Sequence, residues 1–113
     1  IYIVTSGEMM SMYVANNISR AINQFKSKGY ASLKGLILNA KNIENEVYLV
    51  EKLCEEIKSE IFKYIPRDKT VQESENRGKT VIEYDCESSM ANVYFDLAKK
   101  ILNDNEKVDE NVI

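Results

Sequence analysis

Residues 64–85, YIPRDKTVQESENRGKTVIEYD, contain the only proline of the chain and a density of charge suited to nucleotide chemistry. Within them Gly78-Lys79-Thr80 has the form of the last three positions of a phosphate-binding loop. That loop requires G-x-x-x-x-G-K-[ST], because its glycines let successive backbone N–H groups wrap the phosphates. Position 73 is glutamate, and Thr80-Val81-Ile82-Glu83-Tyr84 reads as extended rather than as the start of a long helix. A P-loop is therefore rejected here, and Lys79 reads as a solvated loop lysine. A nucleotide also presents a base and a ribose. Asn39 carries an amide that can donate and accept together, as an adenine edge requires. Pro66-Arg67-Asp68 combines a fixed φ and a missing N–H with two charged groups. On residue types alone each has a plainer structural reading, since asparagine at the end of a strand is a common turn residue.

Other chemistry is narrowed by what the chain holds. It has two cysteines, Cys54 and Cys86, and no histidine. Neither cysteine belongs to a C-x-x-C pair, so a disulfide framework and a zinc site are both disfavoured. Without histidine the usual general base near neutral pH is missing. Met9, Met10 and Met12 could bind a soft metal, but their helical spacing reads as core packing. Glu75 reads as a solvated carboxylate, Glu83 and Tyr84 as an exposed turn, and Lys99-Lys100 as a solvated helix face.

These residues need elements to position them. Ile1 to Thr5 reads as a short buried strand, apolar on both faces. Ser6 or Gly7 lies near the N-cap of a helix from about Glu8 to Lys28, stopped at Gly29, with Met10, Val14, Ile18, Ala21, Ile22 and Phe25 inward. Leu33 to Asn39 is a second buried strand and Lys41 to Asn45 a polar loop. Val47, Val50, Leu53, Cys54 and Ile57 mark a second helix. A third strand, Ile61 to Ile65, ends at Pro66 and leads into the charged segment, read as a loop. A last helix runs from about Ser88 to Leu102, with Met90, Val93, Tyr94, Leu97, Ala98 and Ile101 inward. The acidic tail 103–113 reads as flexible. Strands alternating with helices predict an α/β fold: a partial parallel sheet with helices on both faces. In such sheets ligands bind beyond the carboxyl ends of the strands. Three segments leave those ends: Ser6-Gly7-Glu8, Asn39 to Asn45, and Pro66 onward.

The 113 residues are one domain's worth of chain, and the net charge of −3 gives no reason to expect nucleic acid or an anionic membrane as partner. No apolar run approaches the roughly 20 residues of a bilayer span, and the expected location is cytoplasmic. Residue 1 already lies inside the apolar run Ile1-Tyr2-Ile3-Val4, so the expectation is a piece of a longer protein.

Five strings, IYIVTSGEMMSMYVANNIS, LKGLILNAKN, YIPRDKTVQESE, KTVIEYD and ANVYFDLAKKI, occur in this order over residues 1–102. Together they resemble the C-terminal half of the nitrogenase iron protein family, ATP-dependent reductases of the P-loop NTPase superfamily. The resemblance implies a homodimer with a [4Fe–4S] cluster held by two cysteines from each subunit. It implies coupling of MgATP hydrolysis to one-electron transfer into a larger partner, a nitrogenase MoFe-type protein, a tetrapyrrole reductase or a nickel-tetrapyrrole cyclase system. It places the positions of Asn39, Pro66, Arg67 and Asp68 around the adenine. Val71, Gln72 and Glu75 match positions lining base and ribose, and Tyr94 matches one beside the nucleotide. The family's P-loop, switch aspartates and cluster cysteines match nothing in residues 1–113. Cys54 matches no cluster ligand, Cys86 stands where proline is common, and Lys41 stands where arginine is usual, which keeps the charge but loses the planar fork. The resemblance thus implies a chain carrying adenine and ribose recognition, neither MgATP nor cluster being held tightly by it alone. A non-catalytic nucleotide-binding remnant or structural half-domain is the alternative.

Overall fold

The computed structural model describes the backbone of residues 1–112 and the side chains of residues 1–105. The chain divides into two units, Ile1–Arg67 and Asp68–Ile113.

The first unit is built from β1 (Tyr2–Thr5), α1 (Met9–Lys26), β2 (Gly35–Asn39), α2 (Glu46–Ile57) and β3 (Ile61–Ile65). Its three strands form a parallel sheet in the order β1-β2-β3, as the alternation of strands and helices predicts. Ile3 pairs with Leu36 and Thr5 with Leu38, and Asn39 pairs with Ile65. One irregularity, between Leu36 and Ile37, shifts the register against β3. The apolar run of β2 follows from its central place, where Gly35, Leu36, Ile37 and Leu38 are all buried. Gly35 has a packing reason: a Cβ there would meet the Cβ of Phe62 at 2.9 Å.

The core of this unit gathers Ile3, Leu36 and Leu38 from the sheet, Ala15 and Ile22 from α1, and Val50, Leu53 and Cys54 from α2. Helix α1 buries a different stripe from the one its larger residues suggested. Ala15, Ser19 and Ile22 face inward, whereas Met10, Val14, Ile18, Ala21 and Phe25 are exposed. Small side chains allow a close approach of helix to sheet, and periodicity alone does not choose between two apolar stripes on one helix. The methionines are corrected with it: Met9 and Met10 are 81% and 72% exposed, and only Met12 packs against the core. Strand β1 is likewise apolar on both faces but buried on one, with Val4 62% exposed.

Local chemistry explains the element ends. Glu8, not Ser6 or Gly7, is the N-cap of α1, without a side-chain cap bond. The Ser6 hydroxyl is used in the turn instead, accepting from the Glu8 N–H at 3.3 Å and donating to Glu8 Oε1 at 3.2 Å. Helix α1 closes at Lys26, and Gly29 just beyond it has φ of +76°. Helix α2 ends on Lys58 in the left-handed region, its N–H bonded to the Cys54 carbonyl. Pro66 follows β3, since it has no N–H to continue the ladder.

The second unit is helical: α3 (Lys69–Asn76), α4 (Val81–Tyr84) and α5 (Ser89–Val112). Two expectations are overturned. The charged segment read as a loop holds an eight-residue helix, α3, capped by the Asp68 carboxylate. The stretch Thr80–Tyr84 read as extended is a helical turn, α4, with a capping box: the Glu83 N–H donates to Thr80 Oγ1 and the Thr80 N–H to Glu83 Oε1, both at 3.2 Å. In the last helix Met90 and Ala91 are buried, Val93, Tyr94, Leu97 and Ile101 half-buried, and Ala98 exposed. Its backbone continues to Val112, ten residues past the expected end at Leu102. Of the tail expected to be flexible, 103–113, the side chains from 106 on and residue 113 lie outside the described residues.

Candidate functional site

In the first unit the loops at the carboxyl ends of the strands are tied together by one buried side chain. Glu46, the first residue of α2, is 6% exposed. Its Oε2 accepts the Gly7 N–H at 2.8 Å, and both its oxygens accept the Lys41 N–H at 3.1 Å. A buried carboxylate is tolerated where backbone N–H groups satisfy it. The Gly7 backbone lies so close that a Cβ would stand 2.5 Å from the Glu46 Cγ, so this position admits only glycine without movement. Alongside, the Ala40 N–H bonds the Ile65 carbonyl at 2.9 Å, and Arg67 Nη1 donates to the Lys41 carbonyl at 3.4 Å. Asn39, Pro66 and Arg67 therefore all sit on this rim, with Asn39 and Arg67 exposed and Pro66 half-buried.

In the second unit a cavity of about 340 Å³ is lined by Val71, Ser74 and Glu75 of α3, Lys79 and Thr80, Val81 and Ile82 of α4, and Tyr94 of α5. Its lining is mainly apolar, with a carboxylate, an ammonium and the hydroxyl groups of Ser74, Thr80 and Tyr94 among its side chains. That is the composition of a small-molecule pocket, and the volume lies in the range such pockets occupy. The walls are held locally: the buried Ser74 donates its hydroxyl to the Val71 carbonyl at 2.7 Å, and the capping box fixes Thr80 against Glu83.

Three of the predicted residues, Val71, Glu75 and Tyr94, thus share one cavity. Gln72 is an exposed α3 residue and does not line it. Asp68 is half-buried at the start of α3, where its carboxylate accepts the Thr70 N–H at 2.8 Å. That backbone hydrogen bond, reinforced by the Thr70 side chain and the Lys69 charge, holds the Asp68 carboxyl below the usual carboxylate range. Lys79, read as a solvated lysine, instead lines the cavity, though it is exposed. Sequence reasoning passed over Glu46 and Gly7 as site-forming residues. The signal was slight: a Ser-Gly turn after one strand and a glutamate opening the helix after the next.

The cysteines differ in kind. Both are free thiols, Cys54 buried and Cys86 exposed. Burial, then the carboxylates of Glu51 and Glu60, pushes the Cys54 thiol up, which favours the protonated form over the thiolate that metals bind. Among the described residues no group of three or more His, Cys, Asp or Glu side chains could hold a metal ion, and no helix is long and apolar enough to cross a membrane.

The sequence matches the profile of a known protein family. The profile described as "4Fe-4S iron sulfur cluster binding proteins, NifH/frxC family" matches residues 1–112, which takes in both units, the strand-end rim and the cavity. With nearly its full length matched, the chain belongs to the NifH/frxC family of 4Fe-4S iron–sulfur cluster binding proteins.

Proposed function

We propose that this chain is the C-terminal, base-recognition half of an ATP-dependent iron–sulfur reductase of the P-loop NTPase superfamily. The parent protein acts as a dimer and passes electrons to a larger enzyme on MgATP hydrolysis. The observation that carries the reading is the α3–α5 cavity, where Val71, Glu75 and Tyr94 come together in a chain of this family. Tyr94 supplies an aromatic body for a base, and Glu75 an acceptor for ribose hydroxyls. The same reading assigns Asn39, Pro66, Arg67, Asp68 and Gln72 to adenosine recognition.

The residues present do not fit the cluster. A [4Fe–4S] cluster takes four thiolates. Cys54 is packed into the core between sheet and helices, with its thiol held protonated by burial and two carboxylates. With Cys54 buried, two such chains would offer only their exposed Cys86 thiols, fewer than four, and this reading assigns the cluster to other polypeptide. The triphosphate grip is absent from this sequence too, because no G-x-x-x-x-G-K-[ST] occurs in it.

The test is a titration of the 113-residue chain with adenosine and with ATP, followed by NMR shifts and calorimetry. Adenosine is expected to shift Val71, Glu75 and Tyr94 signals with a dissociation constant of about 1 mM or weaker, since a few hydrogen bonds and one stacking contact barely exceed association costs. ATP is expected to bind no more tightly. Micromolar ATP binding would contradict the assignment of the phosphate grip elsewhere, and absence of any shift at the cavity residues would remove the base-recognition role.

A further inference from the structure

We propose that Glu46 is a positioning residue. Its carboxylate locks the loop after β2 onto the loop after β1, and through Lys41 it fixes where Asn39 and Arg67 present their side chains. This rests on the reading that the strand-end rim takes part in adenosine recognition, and deepens it by naming what sets the rim's shape.

The geometry carries the argument. Glu46 lies at the start of α2, and its side chain turns back to meet two backbone donors that have no partner in the strand ladder, Gly7 N–H and Lys41 N–H. Both Lys41 faces are engaged: its N–H points to Glu46 and its carbonyl accepts from Arg67 Nη1. Lys41 is two residues past Asn39, and the intervening Ala40 is buried and bonded to Ile65. The loop is therefore held at Ala40 and on both sides of Lys41, and Asn39 projects from a fixed base. The absence of a Cβ at Gly7 is what lets the carboxylate reach in, since any side chain there would overlap Glu46. Oε2 accepts from both N–H groups and Oε1 from Lys41 as well; an amide in its place loses the charge that strengthens these bonds and turns its NH2 donor toward the Lys41 N–H where Oε1 accepts.

Amide hydrogen exchange in the 113-residue chain reads the lock directly, because among the described residues Glu46 is the acceptor for both the Gly7 and the Lys41 N–H. In the unsubstituted chain both amides are expected to exchange at least about tenfold slower than unprotected backbone. Free exchange at either overturns the lock without recourse to any variant. In Glu46→Gln, both amides are expected to lose about tenfold in protection while Leu36 and Leu38 in β2 keep theirs. The side-chain amide signal of Asn39 and the guanidinium signal of Arg67 are expected to shift and broaden. Unchanged Asn39 and Arg67 signals beside accelerated exchange would reduce Glu46 to a structural residue and overturn the positioning role. An adenosine titration separates this from the functional reading. If adenosine moves no rim signal in the unsubstituted chain, the functional reading fails, and the lock is still judged by exchange and by the Arg67 signal.

Discussion

At the scale of single residues, the chain places its demands on Gly7, Asp68 and the two cysteines. Gly7→Ala drives a Cβ to within 2.5 Å of the Glu46 side chain, and overpacking of this kind costs about 1–3 kcal/mol. Urea denaturation should show a lower midpoint with an unchanged slope. For Asp68 the sign follows from its lowered pKa. The cap's contribution is complete above the ordinary carboxylate pKa of about 3.9 and is lost as pH falls through the lower folded value. The α3 amide signals should therefore be constant from neutral pH into the mild acid range and move only below it. In Asp68→Ala that acid step should vanish from Thr70. The cysteines predict a two-stage thiol titration: Cys86 reacts with a disulfide reagent in the native state and Cys54 only on unfolding. Fast modification of both in the native chain would show that Cys54 is not held in the core.

At the scale of elements, Thr80 anchors the smallest helix. Thr80→Ala removes the side-chain acceptor for Glu83 N–H, and loss of such a cap costs about 1 kcal/mol. The α4 amide shifts should collapse toward coil values while those of β2 stay in place. The strands and α2 were legible because each follows one strong rule: Leu36 to Leu38 are buried in a central strand, and Val50, Leu53 and Cys54 recur on one face. Helix α3 was not legible from periodicity, because Val71 is the only large apolar residue in KTVQESEN. Its cap was readable in Asp68, and α4's in the Thr80-x-x-Glu83 pattern. Helix α1 misled because it carries two apolar stripes, and the inner one is made of Ala15, Ser19 and Ile22. Of the candidate residues, Val71, Glu75 and Tyr94 line one cavity, while Glu46 escaped notice because its role depends on a contact with Gly7, far away in sequence.

At the scale of the whole molecule, β1 is an edge of the three-stranded sheet, and beside it Val4, Met10, Val14 and Ile18 are exposed. An apolar edge strand of this kind pairs with other chains unless covered. The 113-residue chain is expected to self-associate as its concentration rises, and Val14→Lys should suppress this without changing its circular dichroism. Light scattering that reports a strict monomer for the unsubstituted chain at millimolar concentration would weigh against the edge as a sticky surface. The rim offers a lesson about heredity as well. Glu46 grips the main chain of Lys41, not its side chain, so mutation is free to exchange that residue for any but an imino acid. Gly7 and the glutamate enjoy no such liberty, and lineages that lose one should be found to have replaced the other.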